Sequence, residues 1–231
     1  MNNAYACNIV IDLEFTPIPK RTWQKALRNE IIEIGAVKVG ADGSVLDEFS
    51  RLVKPEYASG VAGKVHWLTG IGDEDLTCAR PLAEVLKEFS GWVGSGRARM
   101  VTWSPADKRQ MDCECAAKGI EAGLPVRWLD IQRLYPRLMG TRKRAVALEE
   151  AANWCGIEHD RGLAHRALYD AQITAEIFRM MADGECAAQR DAIDEGLKKG
   201  PVTSVCASIG ERCGGLADLF AALVAQEAAA A

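Results

Sequence analysis

The chain has 231 residues, of which 48% are hydrophobic and 26% are charged, and its formal net charge is −4. This length suits one domain of roughly 150 to 200 residues with an appendage. The sequence contains no apolar stretch of the roughly 18 residues that a membrane helix needs, which argues against a membrane protein. No basic, apolar leader is visible at the N-terminus, so we expect a cytoplasmic protein.

Charge and metal-binding residues narrow the chemistry further. The low net charge argues against a protein that coats nucleic acid nonspecifically. The cysteines include no CxxC pair, so we expect reduced thiols. The three histidines exclude a histidine-rich metal site. Any metal should therefore be a hard ion on oxygen ligands, such as Mg²⁺ or Mn²⁺.

The first predicted element is an apolar strand over residues 8–15, NIVIDLEF. Side chains alternate between the faces of a strand, so Asp12 and Glu14 should project from the same face. Two carboxylates this close repel each other, and a bound divalent ion would remove that repulsion. A half-exposed strand with two solvated acids would explain the spacing equally well.

Two more strands and then alternating helices and strands follow a polar, basic loop over residues 16–29. The pattern predicts strands 30–39 and 45–53 joined by a hairpin turn at 40–44, helix 81–92, strand 100–103, helix 106–118, strand 126–131, a helical turn at 132–138, and helices 146–155 and 166–181. This order predicts an α/β domain over residues 1–185 with a mixed sheet, in which three antiparallel strands precede parallel strands. Residues 186–231 should form a helical C-terminal appendage.

Further candidate site residues follow these later elements. Asp107 comes just after strand 100–103, and functional groups often lie at the carboxyl ends of strands in α/β sheets. An acid at this position also stabilises a helix N-terminus, and Asp112 competes for the role. His165 and Asp170 would lie about 140° apart on a helix, so we expect His165 on the loop or first turn. Such a pair is also common on surface helices.

Together these residues resemble the DEDDh exonucleases, the ribonuclease T and proofreading-subunit group of the ribonuclease H-like superfamily. The matching motifs are D-x-E in the first strand, an Asp after a later strand, and H-x-x-x-x-D in a late helix. The stretches IDLEFT, EIIEIGAV, LTGI, TWSPAD and HRALYDAQITAEIF are similar to the branch of KapD-like proteins and ERI-type 3′ exoribonucleases. The resemblance spans about residues 8–181. It departs at TWSPADKRQM, where many relatives have an Asn and an aromatic residue before the Asp.

The resemblance implies a ribonuclease H-like fold and a metal-dependent 3′-to-5′ exonuclease. Such an enzyme hydrolyses single-stranded RNA or DNA ends to 5′-mononucleotides by a two-metal mechanism with Mg²⁺ or Mn²⁺. Asp12 would bridge both ions, Glu14 and Asp170 would complete the first, and Asp107 would act directly or through water. His165 would be the general base, since its ordinary pKa lies near neutrality.

We expect both apolar and basic residues to contact the 3′ ends of nucleic acids. The apolar residues could instead pack in the core, and the basic residues could instead be ordinary solvated loop charges. These candidates are Leu13, Trp67, Leu68, Trp103, Arg142 and Arg144, with further basic side chains in loop 16–29. Two other functions stay open, a regulatory adaptor on an exonuclease fold and a polymerase proofreading subunit. The C-terminal helices could form a homodimer or bind a protein partner.

Overall fold

The computed structural model describes residues 5–23, 26–139, 145–160 and 162–185. The strands in these ranges are β1 (Cys7–Pro17), β2 (Asn29–Gly40), β3 (Val45–Lys54), β4 (Arg80–Pro81), β5 (Ala98–Thr102) and β6 (Trp128–Asp130). The helices are α1 (Gly63–Thr69), α2 (Leu82–Val93), α3 (Pro105–Lys118), α4 (Ile131–Leu138), α5 (Leu148–Trp154) and α6 (Ala167–Asp183). None of the helices described in these ranges is both long enough and apolar enough to cross a bilayer.

The described strands form one mixed sheet in the order β4-β3-β2-β1-β5-β6. β1, β2 and β3 pair antiparallel, whereas β5 and β6 run parallel to β1. This arrangement confirms the predicted mixed α/β sheet flanked by helices. The predicted appendage, residues 186–231, lies outside the described residues.

Two apolar layers cover the two faces of the sheet. Val10, Val37 and Val101 pack on the face that carries α4, α5 and α6. Ile9 and Ile11 pack on the opposite face, against α2 and α3. The alternation along β1 continues beyond these residues, so that Asp12 and Glu14 lie on the same face as Val10.

The segment after β3 differs from the sequence prediction. The sequence pattern predicts no helix between strand 45–53 and helix 81–92, but Gly63–Thr69 forms α1. This helix is short and its N-cap, Ala62, makes no side-chain capping hydrogen bond. It therefore lacks the capping residue by which a helix start is recognised in a sequence. The backbone N–H of Ala62 instead donates to Thr16 Oγ1 over 2.9 Å, which fixes the start of α1 beside the end of β1.

Gly35 is the point at which the first turn of α6 meets the sheet. A Cβ atom at Gly35 would lie 2.0 Å from the Leu168 backbone nitrogen and 2.1 Å from the Ala167 carbonyl carbon. These neighbours are backbone atoms, so they cannot move aside without shifting the helix. Gly35 is also the register partner of Asp12. The absence of a side chain there sets how closely α6 approaches the acidic part of β1.

We expect Gly35→Ala to lower the free energy of unfolding by roughly 3 kcal/mol, the upper range for an overpacked interior. For a chain of this size that corresponds to a fall in Tm of about 6–12 °C, measured by circular dichroism. Gly91→Ala in α2 is the matched control, since a Cβ there meets nothing within 4 Å. The control should be neutral or slightly stabilising, and equal Tm values for the two variants would contradict the close approach.

Candidate active site

The first two acids lie where β1 loses one of its two neighbours. The register of β1 with β5 ends at Val10 and Val101, whereas the register with β2 continues through Asp12 and Glu14. Beyond Val10, the backbone N–H of Leu13 lies close enough to the Asp107 carboxylate to lower its pKa. The side of β1 that β5 leaves open is thus occupied by an acidic side chain.

Asp107 reaches this position from the N-terminus of α3. Ser104 caps the helix, and its Oγ accepts a hydrogen bond of 3.2 Å from the Ala106 backbone N–H. Asp107 is buried, and burial raises its pKa to about 7 despite hydrogen bonds from backbone N–H groups and the Ser104 hydroxyl. Asp112, the competing acid, is exposed and pairs with Lys108 over 2.6 Å. Of the two candidates, Asp107 lies beside β1.

His165 and Asp170 come from either side of the start of α6. His165 precedes the N-cap residue Arg166, whereas Asp170 lies in the first turn. One carboxylate oxygen of Glu14, one of Asp170 and one ring nitrogen of His165 all lie within 4.8 Å of one another. His165 adopts a left-handed backbone conformation with φ of 63°, which is uncommon for a residue other than glycine. The loop position of His165 therefore solves the spacing problem that a continuous helix would pose.

The acids of this site raise one another's pKa values. Burial and the neighbouring carboxylates of Asp107, Glu14 and Asp170 hold the pKa of Asp12 well above its ordinary value. Burial, with repulsion from Asp170, raises the pKa of Glu14 to about 8. Burial also raises the pKa of Asp170, although the nearby His165 opposes this shift.

This donor set fits divalent metal ions. Carboxylate oxygens are the ligands that Mg²⁺ and Mn²⁺ prefer. A cation among these groups would offset both the desolvation and the mutual repulsion that raise their pKa values. The carboxylates can then be ionised together near neutral pH.

Sequence reasoning missed Glu33, which lies opposite Glu14 in the register of β1 and β2. Its carboxylate adds to the repulsion that raises the pKa values of Asp12 and Glu14. It accepts hydrogen bonds from the Arg166 side chain and from the Ala167 backbone N–H. The available signal was an acid between Ile32 and Ile34, two residues before Gly35.

The predicted contacts to nucleic acid divide into two groups. Trp67 is 80% exposed on α1, and Leu68 beside it is partly buried. Leu13 and Trp103 are only 4% and 6% exposed, which favours for both of them the alternative of core packing. Leu13 points to the face opposite Asp12 and packs with the α2–α3 layer.

Trp103 packs edge-on against Tyr135, and its indole N–H donates to the Val146 carbonyl over 3.1 Å. Both its ring and its polar atom are therefore used inside the domain. In loop 16–29, Arg28 stacks on Trp23 at 4.1 Å from the ring centre, and Lys20 and Arg21 are exposed. Arg142 and Arg144 lie outside the described residues.

Comparison with known proteins places this arrangement in context. Residues 9–178 match the RNase T family model, described as exonuclease. A PolC-type DNA polymerase III of Thermotoga petrophila is 30% identical over 174 residues, which cover 74% of this chain and 11% of the polymerase. ERI1 exoribonuclease 2 of Danio rerio is 32% identical over 202 residues, which cover 76% of this chain and 35% of that protein. The chain thus spans only about a tenth and a third of the length of these two relatives.

Solved structures share the fold. The nuclease domain of 3′hExo, a DEDDh family member bound to rAMP, superposes with a TM-score of 0.69 at 22% identity, covering 81% of this chain and 96% of that chain. Exonuclease X in complex with 5′ overhanging duplex DNA superposes with a TM-score of 0.55 at 22% identity, covering 80% of this chain and 98% of that chain.

The raised pKa of Glu14 predicts how the stability of the metal-free protein depends on pH. Its pKa of about 8 lies above the ordinary 4.5, so ionisation is disfavoured in the folded chain relative to the unfolded chain. The contribution of Glu14 to the free energy of unfolding should therefore fall as pH rises from 4.5 to about 8. Glu14→Gln cannot ionise and should escape this loss.

Thermal unfolding in a chelator tests this difference. The Tm of Glu14→Gln should exceed that of the wild type by more at about pH 8.5 than at about pH 6, because only the wild type carries the new charge. Mg²⁺ should raise the Tm of the wild type more than that of the variant. If the Tm of Glu14→Gln exceeds that of the wild type by the same amount at both pH values, the raised pKa of Glu14 is contradicted.

Proposed function

The chain belongs to the RNase T exonuclease family, and on that premise we propose that it hydrolyses single-stranded RNA or DNA 3′ ends to 5′-mononucleotides with two divalent metal ions. The observation that carries the proposal is the convergence of β1, α3 and the start of α6 on one group of acids with one histidine. These segments lie far apart in the sequence. A purely structural role gives no reason to gather so many groups of like charge.

Each acid has a distinct position in this scheme. Asp12, which is flanked electrostatically by Asp107, Glu14 and Asp170, would hold both ions. Glu14 and Asp170, whose donor atoms lie close together, would hold one of them. Asp107, held from the other side of β1, completes the set directly or through water. Such ions, when bound, supply charge that activates water and stabilises the leaving 3′ oxygen.

His165 is proposed to accept the proton of the attacking water. It is exposed and lies at the edge of the acid group, so its ring is accessible to a water on the solvent side. An imidazole has an ordinary pKa near 6.5, about right for a general base at neutral pH.

The exposed face of α1 is proposed to receive the terminal nucleotide. Because Ala62 is tied to Thr16, α1 begins beside the end of β1, two residues beyond Glu14. Trp67 offers its ring to solvent there, with Leu68 next to it. Stacking of bases on aromatic rings is the usual means of holding single strands and does not depend on sequence. Both RNA and DNA therefore belong to the proposed substrate class.

The PolC relatives favour a second candidate function, the proofreading of DNA ends made by a polymerase. In the polymerase of Thermotoga petrophila the matching region is a tenth of a much longer protein. A proofreading exonuclease would use the same site on a mismatched DNA 3′ end. It would degrade DNA in preference to RNA, which separates it from an exoribonuclease.

End-labelled RNA and DNA of matched sequence, with single-stranded and overhanging duplex ends, test the activity. We expect stepwise release from the 3′ end in Mg²⁺ or Mn²⁺ and none in a chelator. Asp12→Asn should lower the exonuclease activity by more than roughly 100-fold, which is the loss typical when a hydrogen-bond partner of a metal ligand is removed.

Asp112→Asn is the matched control, because Asp112 is exposed on α3 and pairs with Lys108. This variant should retain full activity. Wild-type activity in Asp12→Asn, or metal-dependent binding of every end without turnover, would overturn the proposed function.

The stacking role of Trp67 predicts a separate effect on substrate binding. Trp67→Ala should raise KM by about 5- to 150-fold, the equivalent of roughly 1–3 kcal/mol for one stacked base, and leave kcat nearly unchanged. Leu46→Ala is the control, since Leu46 is 57% exposed at the start of β3, at the end of the sheet away from Glu14. An unchanged KM in Trp67→Ala would remove α1 from the substrate path.

A further inference from the structure

We propose that Glu33 is a positioning residue that, through Arg166, holds His165 in the geometry needed to act on water. The inference rests on the proposed exonuclease function and assigns a role to two residues outside the predicted site. Neither residue is placed among the metal ligands. Apart from the charge that Glu33 adds near Asp12 and Glu14, their proposed effect reaches the reaction through the backbone that carries His165.

The contacts of Glu33 form a two-pronged clamp on the residues that follow His165. Arg166 Nη2 donates to Glu33 Oε1 over 2.7 Å, and Arg166 Nε donates to Oε2 over 3.2 Å. The Ala167 backbone N–H donates to Oε2 over 3.0 Å. Side chain and backbone are thus held by the same carboxylate. A planar guanidinium on a carboxylate fixes orientation as well as distance.

The surroundings of Glu33 differ from those of the proposed ligands. Its side chain is only 1% exposed and is bonded to a cation and an N–H group. The Glu33 carboxylate therefore has its own positive partner within the protein. Glu14, its register partner on β1, instead lies beside Asp170 and His165. Of this cross-strand pair of acids, Glu14 thus contacts the site and Glu33 binds Arg166.

The backbone of His165 needs such support. A φ of 63° is unfavourable for a residue with a side chain and persists only where the surroundings impose it. On the C-terminal side, Glu33 fixes Arg166 and Ala167. The His165 backbone also lies close enough to the Asp170 carboxylate to oppose the rise of its pKa.

The sheet supplies a second restraint on the same turn. Gly35 and Glu33 lie on one face of β2, two residues apart, and both meet the start of α6. Gly35 admits the backbone of Ala167 and Leu168 at close range, which sets the depth of the helix. Glu33 then sets its rotation by holding Arg166. Neither Gly35 nor Glu33 alone would fix both the depth and the rotation of α6.

Steady-state kinetics of Glu33→Gln, Arg166→Gln and Arg166→Lys test the proposal. We expect kcat to fall by about 10- to 100-fold in Glu33→Gln, as for other residues that orient a site from outside it, with little change in KM. Arg166→Lys should retain more activity than Arg166→Gln, because lysine keeps the positive charge although it cannot form the two parallel hydrogen bonds of a guanidinium group. Glu48→Gln is the control, since Glu48 also reaches α6, through Gln172 over 2.8 Å, but does not adjoin His165.

A double-mutant cycle with His165→Ala separates positioning from general damage. If Glu33 acts through His165, adding Glu33→Gln to His165→Ala should cause no further loss of kcat in single-turnover assays. A loss of the same size in both backgrounds would refute the proposal. Should Glu33→Gln fail to fold, Arg166→Gln carries the same cycle, because the Arg166 side chain is 45% exposed.

Nuclear magnetic resonance gives a readout independent of activity. The backbone coupling constants and carbon shifts of His165 report its φ, and they should change in Glu33→Gln but not in Glu48→Gln. Unchanged His165 signals in Glu33→Gln would overturn the positioning role even in an active enzyme. An inactive wild type that shows the expected change in these signals would instead reject the exonuclease function and leave the clamp itself established.

Discussion

Repulsion among carboxylates with little access to water is the constraint on which this site depends. Burial is the largest cause of the raised pKa of Asp12, Glu14 and Asp107. A chain that gathers such groups gives up stability unless a cation joins them. The surrounding structure can be understood as the framework that keeps them together. β1 provides two acids, the start of α3 provides a third, and α6 provides the fourth with a histidine.

The framework uses rigid elements for the acids and a loop for the histidine. Strands and helices are rigid and therefore position carboxylates accurately, which suits groups that would bind the same metal ions. His165 lies just outside α6, where a residue can project away from the helix and still be fixed by its neighbours. The pairing of Glu33 with Arg166 gives the loop residue a stability that its exposure alone would not suggest. In the proposed enzyme, the precise placement of a catalytic loop residue would therefore come from the residue that follows it.

Local sequence patterns predicted most helices and strands and the acids of the candidate site, because each of these features depends on residues that are close together in the sequence. Alternation along β1 placed Asp12 and Glu14 on one face, and the resemblance selected His165 and Asp170. The same alternation, applied to Leu13, would have assigned it to the opposite face and the core. Trp103 and Glu33 were beyond such reasoning, because Val146 and Arg166, their partners, are distant in sequence. α1 was missed because it is short and its start lacks a capping side chain.

The early end of the pairing between β1 and β5 bears on association between molecules as well as on the site. A strand that leaves backbone donors unpaired is a template on which a strand of another protein can add, and proteins guard such edges with charge. At Leu13 the backbone N–H faces the carboxylate of Asp107 instead of a neighbouring strand. The proposed metal ligand thus also stands in for the missing strand at this position. Replacing it with an apolar residue would leave the Leu13 N–H without this acceptor, independently of any effect on nucleic acid.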